Sequence, residues 1–141
     1  MFLIDTDVLN ALRQGEGHPD SFRWLAAQRT SDLYLSAVTI GEIEHGIERQ
    51  RRHNPSLAGE LSGWLDRVLA WYGDRVLPVD LGTARRWGRL SATLGHESAD
   101  LLLAATALEH GLTVVTRNEG HFEPTGAPVF NPFGEEEGPD A

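Results

Sequence analysis

Neither cysteine nor lysine occurs anywhere in the 141-residue chain. The first absence excludes a disulfide framework, a thiolate zinc site and a thiol nucleophile, and it leaves the redox compartment open. The second means that the permanently basic side chains are 12 arginines, planar forks that grip phosphate through two bonds at once. Long apolar runs are missing as well. The opening Met1 to Ile4 meets Asp5 at once, has no basic segment ahead of it, and is far too short for a signal peptide or a membrane span. A soluble cytoplasmic protein with no membrane partner is the expectation. No glycine-rich loop leads into a basic residue and a hydroxyl, and neither Ser36 nor Ser98 lies in a serine-hydrolase elbow. Nucleotide binding through a P-loop and serine-hydrolase chemistry are thereby disfavoured.

What is present is enough for one domain. At 141 residues and 40% hydrophobic content the chain can bury a core without a structural metal. We place that domain at residues 1–133, and read 134–141, with Glu135-Glu136-Glu137 and Asp140, as an acidic disordered tail. The formal net charge of -9 argues at first against a nucleic-acid partner. Position matters more than the sum, because the arginines gather at Arg49, Arg51, Arg52 and again at Arg85, Arg86, Arg89. Two such clusters can hold an RNA backbone despite the negative total; the plainer reading is that they are solvated helix faces.

Strand and helix patterns alternate along the chain. Phe2 to Asp5, Leu33 to Ala37, Arg75 to Val79, Thr113 to Thr116 and Ala127 to Phe130 read as strands, the last at an edge. Helices are expected at Asp7 to Gln14, from His18-Pro19-Asp20 onward, from Thr39 to about His53, and over Ser56 to Tyr72, Thr83 to Leu94 and Ser98 to His110. Gly15 and Gly17 break the first, and Gly111 stops the last. In the fourth, Leu57, Leu61, Trp64, Leu65, Val68, Leu69 and Trp71 read as core. This order predicts an α/β fold, a three-layer α/β/α sandwich around a mainly parallel sheet. In such sheets the functional crevice lies beyond the carboxyl ends of the strands.

Asp5, Glu42, Asp100 and Asn118 lie where apolar runs end or helices begin, and they are spread through almost the whole chain. If the fold gathers them, the pocket cannot stay charged and empty of cations without cost, and hard ions such as Mg2+ or Mn2+ take all-oxygen ligands of this kind. Each has a structural alternative. Asp5 is placed to cap a helix, and Asp7 sits in a first turn that favours negative charge. Thr39-Ile40-Gly41-Glu42 has capping-box spacing. Asp100, with Ser98 as the expected cap, opens a helix apolar around most of its surface, so an unpaired aspartate there is expensive. The histidines show no paired spacing of the zinc-hydrolase kind and read as surface or satisfied core.

Five blocks follow one another along the chain: Phe2-Leu3-Ile4-Asp5-Thr6-Asp7-Val8-Leu9, Leu35-Ser36-Ala37-Val38-Thr39-Ile40-Gly41-Glu42-Ile43 with Gly46, Asp100-Leu101-Leu102-Leu103-Ala104-Ala105-Thr106-Ala107 with Glu109-His110-Gly111-Leu112, Thr113-Val114-Val115-Thr116-Arg117-Asn118, and Phe130-Asn131-Pro132-Phe133. In these blocks the chain resembles the PIN-domain ribonucleases, and in detail the VapC-type toxins of bacterial toxin-antitoxin pairs. The resemblance implies an endoribonuclease toxin that hydrolyses RNA by metal-activated water, with Asp5, Glu42 and Asp100 holding Mg2+ or Mn2+. Asn118 would fill the fourth catalytic position, by orienting or by binding through its carbonyl oxygen. His121 stands where a further aspartate is frequent. Thr6, Thr116 and Arg117 would contact substrate, the two threonines alternatively fixing the carboxylates. It further implies a homodimer and a VapB-like antitoxin that inserts a basic side chain into the acidic pocket. Two rival readings remain: a degenerate PIN scaffold that binds RNA or protein without cutting, and a haloacid-dehalogenase-like phosphatase, suggested by Asp5-Thr6-Asp7-Val8-Leu9 but lacking that family's lysine.

Overall fold

Leu3 and Ile4 are neighbours in strand β1 (Phe2–Ile4), both are fully buried, and they serve opposite faces of one sheet. Successive strand side chains alternate, so a strand covered on both sides must be apolar throughout. The same division recurs at Val114 and Val115 of β4 (Thr113–Val115). The computed structural model describes residues 1–14 and 19–133, and the expectations for Gly15, Gly17, His18 and the acidic tail lie outside them.

Five strands form one parallel sheet in the order β3-β2-β1-β4-β5. The others are β2 (Leu33–Ser36), β3 (Val76–Leu77) and β5 (Val129–Phe130). Register pairs Leu3 with Tyr34 on one side and with Val114 on the other. One face is covered by α1 (Thr6–Gln14), α2 (Pro19–Ala26), α3 (Ala37–His53) and α4 (Pro55–Tyr72), around Ile4, Val8, Leu35, Ile47 and Leu65. The other packs around Leu3, Leu103, Ala104 and Phe122, with α5 (Leu81–Leu94), α6 (Ala99–His110) and the short α7 (Glu119–Phe122). The three-layer sandwich is as expected, with every pairing parallel. Because chain connections leave β1 toward both sides, the carboxyl ends of β1 and β4 flank a crevice into which Asp5 and Thr116 follow directly.

The sequence pattern differs from the structure at several places: α5 begins at Leu81 behind an Asp80 cap instead of at Thr83, Arg75 lies in a 3-10 turn ahead of a strand of only two residues, and α7 has no counterpart in the pattern. Helix α3 starts at Ala37, with Ser36 as its cap: the Ser36 hydroxyl accepts from the Val38 amide at 3.0 Å. Thr39 is therefore inside the helix and fully buried, so the Thr39–Glu42 capping box does not form and Glu42 lies in the second turn. Ser98 occupies the cap position of α6 but makes no side-chain capping bond. In α4, Trp71 is 68% exposed and Leu69 also faces outward, because Leu65, Val68 and Tyr72 already define the buried stripe and Trp71 sits about 120° away from Leu65. Helix α6 is buried as its composition predicts, with Leu101, Leu103, Ala104, Ala105 and Ala107 sealed from solvent. Truncating Leu103 to alanine is expected to cost about 2–5 kcal/mol. That burial fixes where α6 presents Asp100, in its first turn at the helix mouth.

Candidate active site

Asp5 ends β1 and is only 5% exposed. Its amide donates to the Val115 carbonyl at 2.9 Å, which locks its backbone to β4. The carboxylate accepts from the Thr6 amide at 2.7 Å and from the Thr116 hydroxyl at 2.8 Å. Thr116 is itself held, since its oxygen accepts from the Asn118 amide at 2.9 Å. Burial pushes the Asp5 carboxyl up to about 6; the Thr116 hydrogen bond opposes this, the charges of Asp7 and Asp100 add to it, and the Thr6 amide opposes it again. No arginine or histidine pairs with Asp5 among the described residues.

Around this buried carboxylate stand three further predicted residues, each with its own tether. The Thr6 hydroxyl lies 2.5 Å from Glu42 Oε1 and 3.1 Å from the Thr39 hydroxyl, so the first turn of α1 is stitched to α3. Asp100, half-buried in the first turn of α6, places Oδ2 3.1 Å from His121 Nδ1. Asn118 directs its side-chain amide to Asp7 at 2.8 Å. Thr6 and Thr116 thus hydrogen-bond to carboxylates.

The donor set fits a hard divalent cation in its chemistry. All the tethered acids offer oxygen, Asp5 is buried without a cationic side chain beside it among the described residues, and the charges of Asp7 and Asp100 add to the burial that raises its carboxyl. Among the described residues, however, no three Asp, Glu or His side chains converge on one point closely enough to surround an ion. Glu42 is turned to Thr6, and Asp100 to His121.

The sequence profile of the PIN domain matches residues 2–126. The chain belongs to the PIN-domain family. It is 35% identical over 144 residues to the VapC ribonuclease Y4jK of Sinorhizobium fredii, covering 94% of this chain and 98% of the relative. The plasmid stability protein StbB of Pseudomonas syringae pv. tomato is 34% identical over 140 residues, covering 94% and 99%, and the toxin FitB of Neisseria gonorrhoeae 32% over 139 residues, again 94% and 99%. The solved structure of FitAcB from Neisseria gonorrhoeae superposes with a TM-score of 0.84 at 32% identity, covering 96% of this chain and 100% of that one. Family membership sets the phosphatase reading aside.

Several side chains of this PIN domain stand apart from the acids. Arg117 lays its guanidinium over the Phe133 ring at 4.1 Å, and its buried Nε has no hydrogen-bond partner. It braces the chain's exit segment. Arg75, read from sequence only as part of a strand, donates to the carbonyls of Thr30, Leu33 and Trp71. His121, which the sequence marks only as standing where a further aspartate is frequent, does meet an acid: its contact with Asp100 is not foreseen, because the four-residue helix carrying it is too short to show periodicity.

Proposed function

We propose that this PIN domain is a metal-dependent endoribonuclease, the toxin of a toxin-antitoxin pair, hydrolysing RNA phosphodiester bonds with Mg2+ or Mn2+. The observation that carries the reading is the buried Asp5, which has no cationic side chain beside it among the described residues, is pinned at the sheet's carboxyl edge by Thr6 and Thr116, and faces the charge of Asp100. RNA as substrate and the toxin role are supported by the relatives named VapC ribonuclease and toxin FitB.

Asp5 and Asp100 would hold the ion, with Glu42 joining them. The chemistry such an ion supplies when bound is activation of water for in-line attack on phosphorus and screening of the charge that develops on the phosphate oxygens. The protein's own share is positional. Thr116 and the Thr6 amide fix the Asp5 carboxylate, the Thr6 hydroxyl holds Glu42, and Asn118 braces Asp7 across the same crevice. Arg117 would reach substrate only by leaving Phe133. A homodimer acting in the cytoplasm fits the reading, as does a VapB-like antitoxin that places a basic side chain against Asp5 and Asp100.

The test is to map RNA ends after incubation with the wild-type chain and with Asp5→Asn, with and without Mg2+. New ends that require both Asp5 and the ion are expected. RNA binding without any cleavage would instead establish a non-catalytic PIN scaffold.

A further inference from the structure

Helix α3 carries Glu42 at the site and ends seventeen residues from its start in Arg51-Arg52-His53. At about 100° per residue, His45, Arg49, Arg52 and His53 fall within about 100° of arc, and Glu42 lies inside the same arc. All four basic residues are exposed. They line one surface depression together with Glu48. Glu48 does not cancel the depression's charge, because Arg51 takes it up at 2.6 Å from the neighbouring face. Arg49 and Arg52 make no ion pair among the described residues. Other arginines are committed elsewhere: Arg86 to Glu109, Arg75 to backbone carbonyls, Arg117 to Phe133.

We infer that this stripe is a backbone-binding track for single-stranded RNA, running from the acidic crevice along α3. The proposal rests on the nuclease reading and gives it a direction for the substrate. From Glu42 to His53 the track is about 16 Å long at 1.5 Å per residue, a reach suited to phosphates flanking a bond held at Asp5. Unpaired guanidinium forks bind phosphate bidentately, and exposed imidazoles offer both a donor and a ring face for an unstacked base. This arrangement lets a chain of net charge -9 engage RNA: Arg49 and Arg52 stand on the helix that also carries Glu42 to the site, whereas the second arginine cluster, Arg85, Arg86 and Arg89, lies on α5, which carries none of the site's acids. An acidic peptide is the competing occupant. RNA is favoured because the track continues the crevice in which a phosphate would be cut.

The test measures binding of a fluorescein-labelled, unstructured oligoribonucleotide by anisotropy across a salt series. The full chain carries Asp5→Asn to prevent turnover. Adding Arg49→Gln with Arg52→Gln is expected to weaken binding about tenfold or more and to lower the slope of log affinity against log salt by about 1.4, at about 0.7 per phosphate contact. A charge-matched control, Arg23→Gln with Arg29→Gln, removes two arginines off α3 that already face Asp20 and Asp32 and is expected to change little. Equal losses in both pairs overturn the track in favour of a net-charge effect. Unchanged RNA binding by the Arg49/Arg52 pair overturns it as well, and loss of poly-glutamate binding alone would mark a protein-docking face. Wild-type RNA cleavage, measured in parallel, separates the two readings: intact cleavage with unchanged binding in the Arg49/Arg52 pair rejects the track and spares the nuclease.

Discussion

Two strand-to-helix turns in this molecule look alike in sequence and behave oppositely. Asp5 follows β1 and precedes α1; Asp80 follows β3 and precedes α5. Asp80 is exposed, accepts from the Thr83 amide at 2.8 Å, and has His110 at 3.5 Å. Its pKa lies below the usual carboxylate range, first because of the Thr83 backbone hydrogen bond. This is ordinary helix capping. Asp5 makes no such bond to the second or third helical amide; it accepts from the very next amide and from a threonine 111 residues away. Burial then raises its pKa. An aspartate that stabilises a helix end is charged at little cost, whereas one kept charged in a buried crevice needs a cation to be worth keeping.

The largest expected effect breaks the pair apart in activity. Asp5→Asn should lower Mg2+-dependent RNA cleavage by more than about a hundredfold, while Asp80→Asn, which retains a capping oxygen, leaves it near wild type on the same gel assay. Similar losses in both would reduce Asp5 to a structural residue. Thr116→Val comes next, since it removes the hydroxyl donor to Asp5 and the acceptor for the Asn118 amide. A fall of about tenfold to a hundredfold in metal affinity by calorimetry is expected, with the fold preserved by circular dichroism.

A subtler contrast lies in pH. In the metal-free protein the Asp5 carboxyl titrates near 6 instead of 3.8, so its protonated form is favoured by folding. That contribution is complete below the ordinary value and is lost as pH rises through about 6, a span of about 3 kcal/mol at 1.4 kcal/mol per pKa unit. Asp80 has the opposite sign, since its depressed pKa gives stability above the ordinary value that is lost as pH falls through the folded one. Melting curves in EDTA should therefore show wild type destabilised between about pH 4 and pH 6, and Asp5→Asn without that decline. A decline that survives the substitution would assign it to other groups. The smallest effect is Asp80→Ala, a modest fall in melting temperature with RNA cleavage unaltered.

Much of this was legible in one chain because it is local. The apolar runs at Phe2-Leu3-Ile4 and Thr113-Val114-Val115 announce buried strands, and Leu101 to Ala107 announces a buried helix. Asp5 stands where the first of those runs closes, and Asp100 where the last one opens. Helix α3 starts two residues before the sequence pattern places it because Ser36 and Thr39 are both capable caps; Ser36 takes the cap, and Thr39, inside the helix, meets the Thr6 hydroxyl. Trp71 was counted as core because hydrophobicity records a residue's nature and not which side of α4 the sheet occupies. The His121–Asp100 contact joins residues 21 apart through a helix too brief to leave a pattern.

Sequence alone determined the alternation of strands and helices, the supply of oxygen donors, and the exclusive use of arginine as the fixed cation, because each depends on side-chain chemistry at neighbouring positions. Tertiary structure decided which acids meet. Asp5 becomes unusual only when β4 carries Thr116 against it and α6 delivers Asp100 to the same edge. Burial and charge coupling belong to the three-dimensional neighbourhood, and no single segment of the chain contains them.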